Sequence, residues 1–266
     1  MAEATEAAPS LLNSRAGAVS WLRLNRPRSK NSLDETLVEE LARALEAAAI
    51  DTDVRVVVIA GVPGAFCSGV DLRSVATDLQ HPERFEPRLA VFHRVIRAIV
   101  NSDKPVIAAV DGPAVGFGAD LALACDLRWL SSTAYFEEKF VAIGLMPDGG
   151  GTFHLPRLIG SARALEHLLL GTRFDAAEAL SIGLVNRVLP SAELEAEVSR
   201  VAEQLSRAAP LAVRAIKRAV RDGLSSSFES ALERERTGQL ALLRSEDAAE
   251  GVQAFLNRTP PKFNGR

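Results

Sequence analysis

Apolar positions along the chain follow two different periods. Ala18–Leu24 (AVSWLRL) alternates as a strand does and stops at Arg26-Pro27. The runs VVVIA at Val56–Ala60 and PVIAAV at Pro105–Val110 are short and continuously apolar, as in strands buried on both faces. Between them the spacing changes to three and four. Leu33, Leu37, Leu41 and Leu45 follow Ser32 and Glu35, a capping-box pattern that starts a helix at Ser32. Phe85, Leu89, Phe92, Val95, Ile96 and Ile99 mark a second helix within Pro82–Val100. The order strand, helix, strand, helix, strand, helix predicts an α/β core with mostly parallel pairing, because parallel neighbours need a crossover of about a dozen residues or more.

Past Ser191 the strand pattern is gone. Ala, Leu, Glu and Arg fill helical segments broken near Pro210, Gly223 and Ser245, with Leu232, Leu240 and Leu243 set among dense charge. Residues 1–190 are therefore read as a core that carries the site, and residues 191–266 as a helical region that packs on the core or on another subunit. The start, MAEATEAAPS, is a small polar tail without the basic and apolar stretches of a targeting signal.

Composition narrows the function classes. With 266 residues, 47% hydrophobic and 24% charged, the chain can bury a sizeable core, and a net charge of −3 argues against a nucleic-acid partner. No apolar run approaches the roughly 18–20 residues that span a bilayer, so a cytoplasmic protein with no membrane partner is expected. Cys67 and Cys125 have no Cys or His neighbour at ligand spacing; buried thiols and no metal site are expected.

Two glycine-bearing segments hold the most chemistry: GAFCSGVDL at Gly64–Leu72 and VDGPAVGFGADLALACD at Val110–Asp126. Each joins a buried strand to a helix start, where amides lack intrahelical partners and carry partial positive charge. Two such amides aimed at one point would hold an oxyanion. A tight turn between strand and helix is the plainer reading of GAFCSGVDL alone. Leu121 stands where a dinucleotide fingerprint needs its third glycine, and no Walker lysine follows. Asp120 falls in the first turn of a helix, and Asp148 in LMPDGGG, where flanking glycine and apolar residues can desolvate a carboxylate into a useful base. His81, His93, His154 and His167 accompany no nucleophile motif and are read as structural. Arg26, Arg28 and Lys30 form a basic cluster after a strand end.

Taken together these segments resemble the enoyl-CoA hydratase/isomerase (crotonase) family. LNRPRSKNSL, AFCSGVDL, KPVIAAVDGPAVGFGADLALACDL, GLMPDGGGTFHLPRLIG and the stretch Ala176–Pro190 occur in the family's order over nearly the whole chain. The resemblance implies an α/β spiral of ββα units with a helical C-terminal region, assembled as a homotrimer or dimer of trimers. It implies an acyl-CoA substrate and no separate cofactor, coenzyme A being part of the substrate. It assigns the oxyanion-binding amides to Val70 and Phe117. It sets the coenzyme against Arg26, Arg28, Lys30, Ala65, Ser68, Asp71 and Leu72, with Lys262 and Phe263 as additions from this subunit or a neighbour. Phe117, where many relatives carry glycine, is expected to narrow the pocket above it.

The departures from the family bear on the reaction. Typical hydratases use two glutamates; here Asp120 and Phe140 occupy those positions, and aspartate retracts its carboxylate by roughly 1.5 Å. The stretch FVAIGLMPDGGGT resembles that of ring-epoxide phenylacetyl-CoA isomerases, which carry a catalytic aspartate at the position of Asp148, as 4-chlorobenzoyl-CoA dehalogenases carry a nucleophile. The resemblance thus favours isomerisation of an unsaturated acyl-CoA, with Asp148 shuttling the proton and Asp120 assisting. Hydration by Asp120 and Asp148 is the close alternative, and an idle acyl-CoA-binding protein a third. Dehalogenation is disfavoured because two Trp and one Tyr give little assurance of an aromatic-lined pocket.

Overall fold

The computed structural model describes residues 8–266; the polar start, residues 1–7, lies outside them. A hairpin of β1 (Leu11–Ala16) and β2 (Val19–Leu24) opens the chain, followed by α1 (Glu35–Ile50), β3 (Val56–Gly61), α2 (Leu72–Asp78), α3 (Phe85–Asn101) and β4 (Val106–Val110). Next come β5 (Pro113–Val115), α4 (Phe117–Ala124), β6 (Leu127–Ser131) and β7 (Tyr135–Glu137). Helices α5 (Gly151–Ile159) and α6 (Ser161–Leu170), strand β8 (Arg173–Asp175), α7 (Ala176–Ser181) and β9 (Arg187–Leu189) complete the two sheets. The chain then continues as α8 (Ser191–Ser206), α9 (Pro210–Gly223), α10 (Phe228–Leu242) and α11 (Glu246–Asn257).

The larger sheet has the order β1-β2-β3-β4-β6-β9, and every pairing from β2 to β9 is parallel. A smaller sheet, β5-β7-β8, stands beside it. Alternation along the strands feeds two cores. Val57 and Ile59 face the layer of α1, α3 and α4, whereas Val56 and Val58 face Leu194, Val198 and Ala202 of α8. The third layer is thus made by a helix beyond residue 190. Helix α9 is tied on by polar contacts: Lys217 Nζ lies 2.7 Å from Asp126 Oδ2 and 3.0 Å from the Lys104 carbonyl, and Arg218 Nε lies 2.7 Å from Asp103 Oδ1.

One element starts later than its pattern implies. Asp34, not Ser32, caps α1, its carboxylate accepting from the Leu37 amide at 2.9 Å. The chain cannot turn helical at Ser32 because Leu33 is still extended, bridged to the 69–71 segment by Leu33 N–H to Gly69 O (2.8 Å) and Asp71 N–H to Leu33 O (2.9 Å). Likewise Pro82–Arg84 forms a separate 3-10 turn, and α3 begins at Phe85.

Candidate active site

Both glycine-bearing loops leave the carboxyl ends of β3 and β4 and lie side by side. Cys67 and Ala114 form a parallel bridge, with Cys67 N–H to Pro113 O and Val115 N–H to Cys67 O each 2.9 Å. On the outer edge, Gly69 O and Asp71 N–H both face Leu33. Peptide groups alternate along extended chain, so the intervening Val70 N–H faces the other way, toward the second loop. A β-carbon built on Gly69 (φ +91°) would sit 2.7 Å from Val115 O and 3.7 Å from the Phe117 nitrogen. Only glycine permits that approach.

Helix α4 starts at Phe117 behind Gly116, and the first amides to turn back are those of Ala119 and Asp120, both onto Gly116 O. Among the described residues, neither Val70 N–H nor Phe117 N–H donates to a protein acceptor. Two free amides facing one gap, one at a helix N-terminus, can stabilise negative charge on a carbonyl oxygen. The Phe117 ring points into the core, with its edge against Gly149. It is buried, edge-on to Phe92 at 4.7 Å, because the helix turns this side chain into the core.

Beside the amides lie three carboxyl groups. Asp120, in the first turn of α4, is fully buried; its Oδ2 accepts from Gly149 N–H at 2.9 Å, and its Oδ1 lacks a conventional donor. Burial pushes its carboxyl up to about 7, the Gly149 amide opposing and the Asp148 charge adding to the rise. Asp148 lies in the turn ahead of α5 with a buried, unpartnered Oδ1. Burial raises it too, against the opposing influence of His93 and Arg88. His93 Nε2 lies 2.9 Å from the Asp148 carbonyl and anchors that turn to α3.

The third, Glu138, follows β7 and is 2% exposed, with both oxygens unpartnered. Sequence reasoning missed it. The available signal was its place between Phe136 and Phe140, both buried; the nearby cations, Lys139 (Nζ at 2.9 Å) and Arg173 of β8 (Nε at 3.2 Å), serve Glu137 instead. Phe140, at the position of the family's second glutamate, is buried with its ring near Gly116. No group of three or more His, Cys, Asp or Glu among the described residues is arranged to hold a metal ion.

The residues expected to contact coenzyme A divide. Ala65 and Ser68 sit against the Arg26–Asn31 turn, with Ala65 O accepting from Asn31 Nδ2 (2.7 Å) and Ser68 Oγ donating to Ser29 O (2.9 Å). Arg28 and Lys30 are exposed and Leu72 projects outward, 56% exposed. Arg26 is not a free phosphate ligand: its guanidinium holds Asp34 (3.0 Å), Asp71 (3.2 Å) and Ser32 O (2.5 Å). Asp71 caps α2; against the penalty of burial, the Arg73 amide and Arg26 hold its carboxyl below the usual range. Lys262 and Phe263 are not brought to this site within the chain. The Phe263 carbonyl accepts from Arg55, just ahead of β3 and so at the opposite end of the sheet, and Lys262 N–H bonds Glu250.

The histidines serve locally. His167 stacks on Phe174, His81 lies at the surface near Glu83, and burial drives His154 down to about 4, so it stays neutral. Both cysteines are buried and free, their thiols pushed up to about 12 by burial.

Comparison with known proteins places this geometry in context. The family model for enoyl-CoA hydratase/isomerase matches residues 14–266. A probable enoyl-CoA hydratase of Rhodobacter capsulatus is 39% identical over 248 residues, covering 91% of this chain and 93% of the relative. The 2,3-dehydroadipyl-CoA hydratase of Escherichia coli is 37% identical over 257 residues, covering 96% and 99%. The crystal structure of enoyl-CoA hydratase from Bacillus anthracis superimposes with a TM-score of 0.93 at 33% identity, covering 97% of this chain and all of that one. These relatives carry hydratase names, so the preference for isomerisation drawn from the sequence finds no support among them.

Proposed function

The chain belongs to the enoyl-CoA hydratase/isomerase family and has its α/β crotonase fold; we propose that it hydrates a 2-enoyl-CoA thioester. The observation that carries this reading is the pair of buried, unpartnered oxygens, Asp120 Oδ1 and Asp148 Oδ1, on two electrostatically interacting carboxyl groups. Hydration needs one carboxylate to take a proton from water and one carboxylic acid to deliver a proton to carbon. Environments that separate two carboxyl groups assign the roles. Fully buried Asp120 is the acid, and Asp148, closer to solvent and opposite His93 and Arg88, is the base.

In this mechanism Asp148 takes a water proton as the water oxygen bonds to the β-carbon. The π electrons move onto the thioester oxygen, held by Val70 N–H and Phe117 N–H, and Asp120 then protonates the α-carbon. Arg28, Lys30 and the backbone of Ala65 and Ser68 receive the coenzyme end. Subunit association is part of the proposal: Ile216, Val220 and Leu224, four residues apart along and just beyond α9, are each more than 60% exposed. A trimeric assembly would cover this stripe.

Isomerisation is a second reading, favoured by Phe140, which leaves Asp148 as the one carboxyl group nearer solvent and able to return a proton to a different carbon. Incubation with 2-enoyl-CoA and 3-enoyl-CoA in ¹⁸O-water distinguishes them. Product carrying solvent oxygen from the 2-enoyl ester supports hydration. Interconversion of the two esters without oxygen uptake supports isomerisation and rejects hydration.

A further inference from the structure

We propose that Glu138 is a resident, protonated carboxylic acid that donates its O–H to Asp120 Oδ1, fixing the orientation and proton affinity of Asp120 from behind the site. The inference rests on the acid role given to Asp120 above. A β-carbon built on Gly151 would lie 2.4 Å from Asp120 Oδ1 and 3.0 Å from Glu138 Oε1, so both carboxyl groups press on the same bare glycine. All three buried oxygens concerned, Asp120 Oδ1 and both of Glu138, lack a donor among the described residues. Two carboxylates only accept hydrogen bonds, so neither can satisfy the other unless one carries a proton. An unpaired charge at such depth is expensive, and a proton kept on Glu138 leaves at most one charge on the pair once Asp120 has given up its own.

Among the described residues no cation is paired with Glu138. Burial is the main influence against ionisation of Glu138, and Asp120 facing it from α4 and the charge of Asp148 in the turn before α5 add to it. His154 on α5 is neutral, Arg88 and His93 on α3 act on Asp148, and Lys139 and Arg173 are taken by Glu137. Of the two carboxyl groups Glu138 is the last to lose its proton, since the Gly149 amide already stabilises the charged form of Asp120. Both are neutral before turnover, and the Glu138 O–H supports the carboxylate left when Asp120 has delivered its proton. Glu138 is thus a positioning residue. It touches Asp120 and not the substrate.

The test compares Glu138→Gln with Glu138→Leu in the full-length protein, reading steady-state pH profiles together with the infrared spectrum. Glutamine keeps a neutral donor, so the alkaline limb set by Asp120 should stay near that of the parent. Leucine removes the donor: kcat should fall about ten- to a hundredfold with KM little changed, and the alkaline limb should move to higher pH. A limb that moves to lower pH would mean that Glu138 is ionised, and an unmoved limb that it has only a packing role; either overturns the inference. Independently of turnover, a protonated-carboxyl band should persist at mildly alkaline pH in the parent and vanish in Glu138→Gln. Its absence from the parent would overturn the inference while leaving hydration intact. A persistent band with no turnover of any enoyl-CoA would instead reject the functional reading.

Discussion

Gly118 backs directly onto Cys67: a β-carbon at position 118 would lie 2.4 Å from the Cys67 carbonyl oxygen and 2.8 Å from the Cys67 β-carbon. This contact sets the spacing between the loop bearing Val70 N–H and the helix bearing Phe117 N–H. Gly118→Ala must push the two apart, and loss of one oxyanion donor lowers kcat by about 10²–10³. Steady-state kinetics checks this, with Gly223→Ala as the control, since a β-carbon there meets nothing within 4 Å.

Asp148→Asn and Asp120→Asn remove the base and the acid of the proposed hydration. Each should lower kcat by about 10²–10⁴, while binding of a CoA ester, followed by calorimetry, remains. Unchanged turnover in both variants would overturn the acid–base assignment.

The buried carboxyl of Asp120 should leave a mark on stability as well as on rate. Its pKa is about 7 when folded, against 3.8 for the unperturbed group, so the native state holds the proton more tightly between these limits. Stability from this group is therefore present below the lower value and lost as pH rises toward the upper one. Asp120→Asn removes that loss. Melting curves should show the variant gaining on the parent as pH rises from about 4 to about 7, and parallel pH dependence of the two proteins would contradict the burial argument.

Arg26 organises the edge of the proposed coenzyme site, since its guanidinium is held by Asp34, Asp71 and the Ser32 carbonyl. Arg26→Ala leaves Asp71 and the Ser32 carbonyl without their partner, and a cost of about 1 kcal/mol is expected, since the cluster is only partly buried. KM for the CoA ester should rise more than kcat falls. Lys30→Ala, by contrast, should weaken binding mainly at low salt, with no change in melting temperature.

Ile216→Asp combined with Val220→Asp tests the assembly reading. Light scattering should show the parent as a trimer or larger and the double variant as a smaller species. A monomeric parent would reject that part of the proposal.

The parallel core was legible because Val56–Ala60 and Pro105–Val110 are short, continuously apolar runs rich in β-branched residues and because α1 and α3 supply the crossovers. The helix start at Ser32 misled because a local capping pattern says nothing of the long-range bridge from Leu33 to Val70 that keeps the chain extended. Asp120 stood out through its place in the first turn of a helix, and Asp148 through its glycine and apolar neighbours. Glu138 did not: its burial depends on Gly151, thirteen positions later, offering a bare backbone where any side chain would strike both carboxyl groups. Arg26 read as a surface cation for a similar reason, since Asp71, its partner, lies in a loop beyond α1 and β3.

The central claim is that Val70 N–H and Phe117 N–H converge on one thioester oxygen. Isotope-edited infrared spectroscopy of a bound, carbonyl-labelled 2-enoyl-CoA measures this directly. The carbonyl stretch should fall at lower frequency than in water and return toward the free value in Gly118→Ala. A bound carbonyl with the frequency of the free ester would contradict that claim.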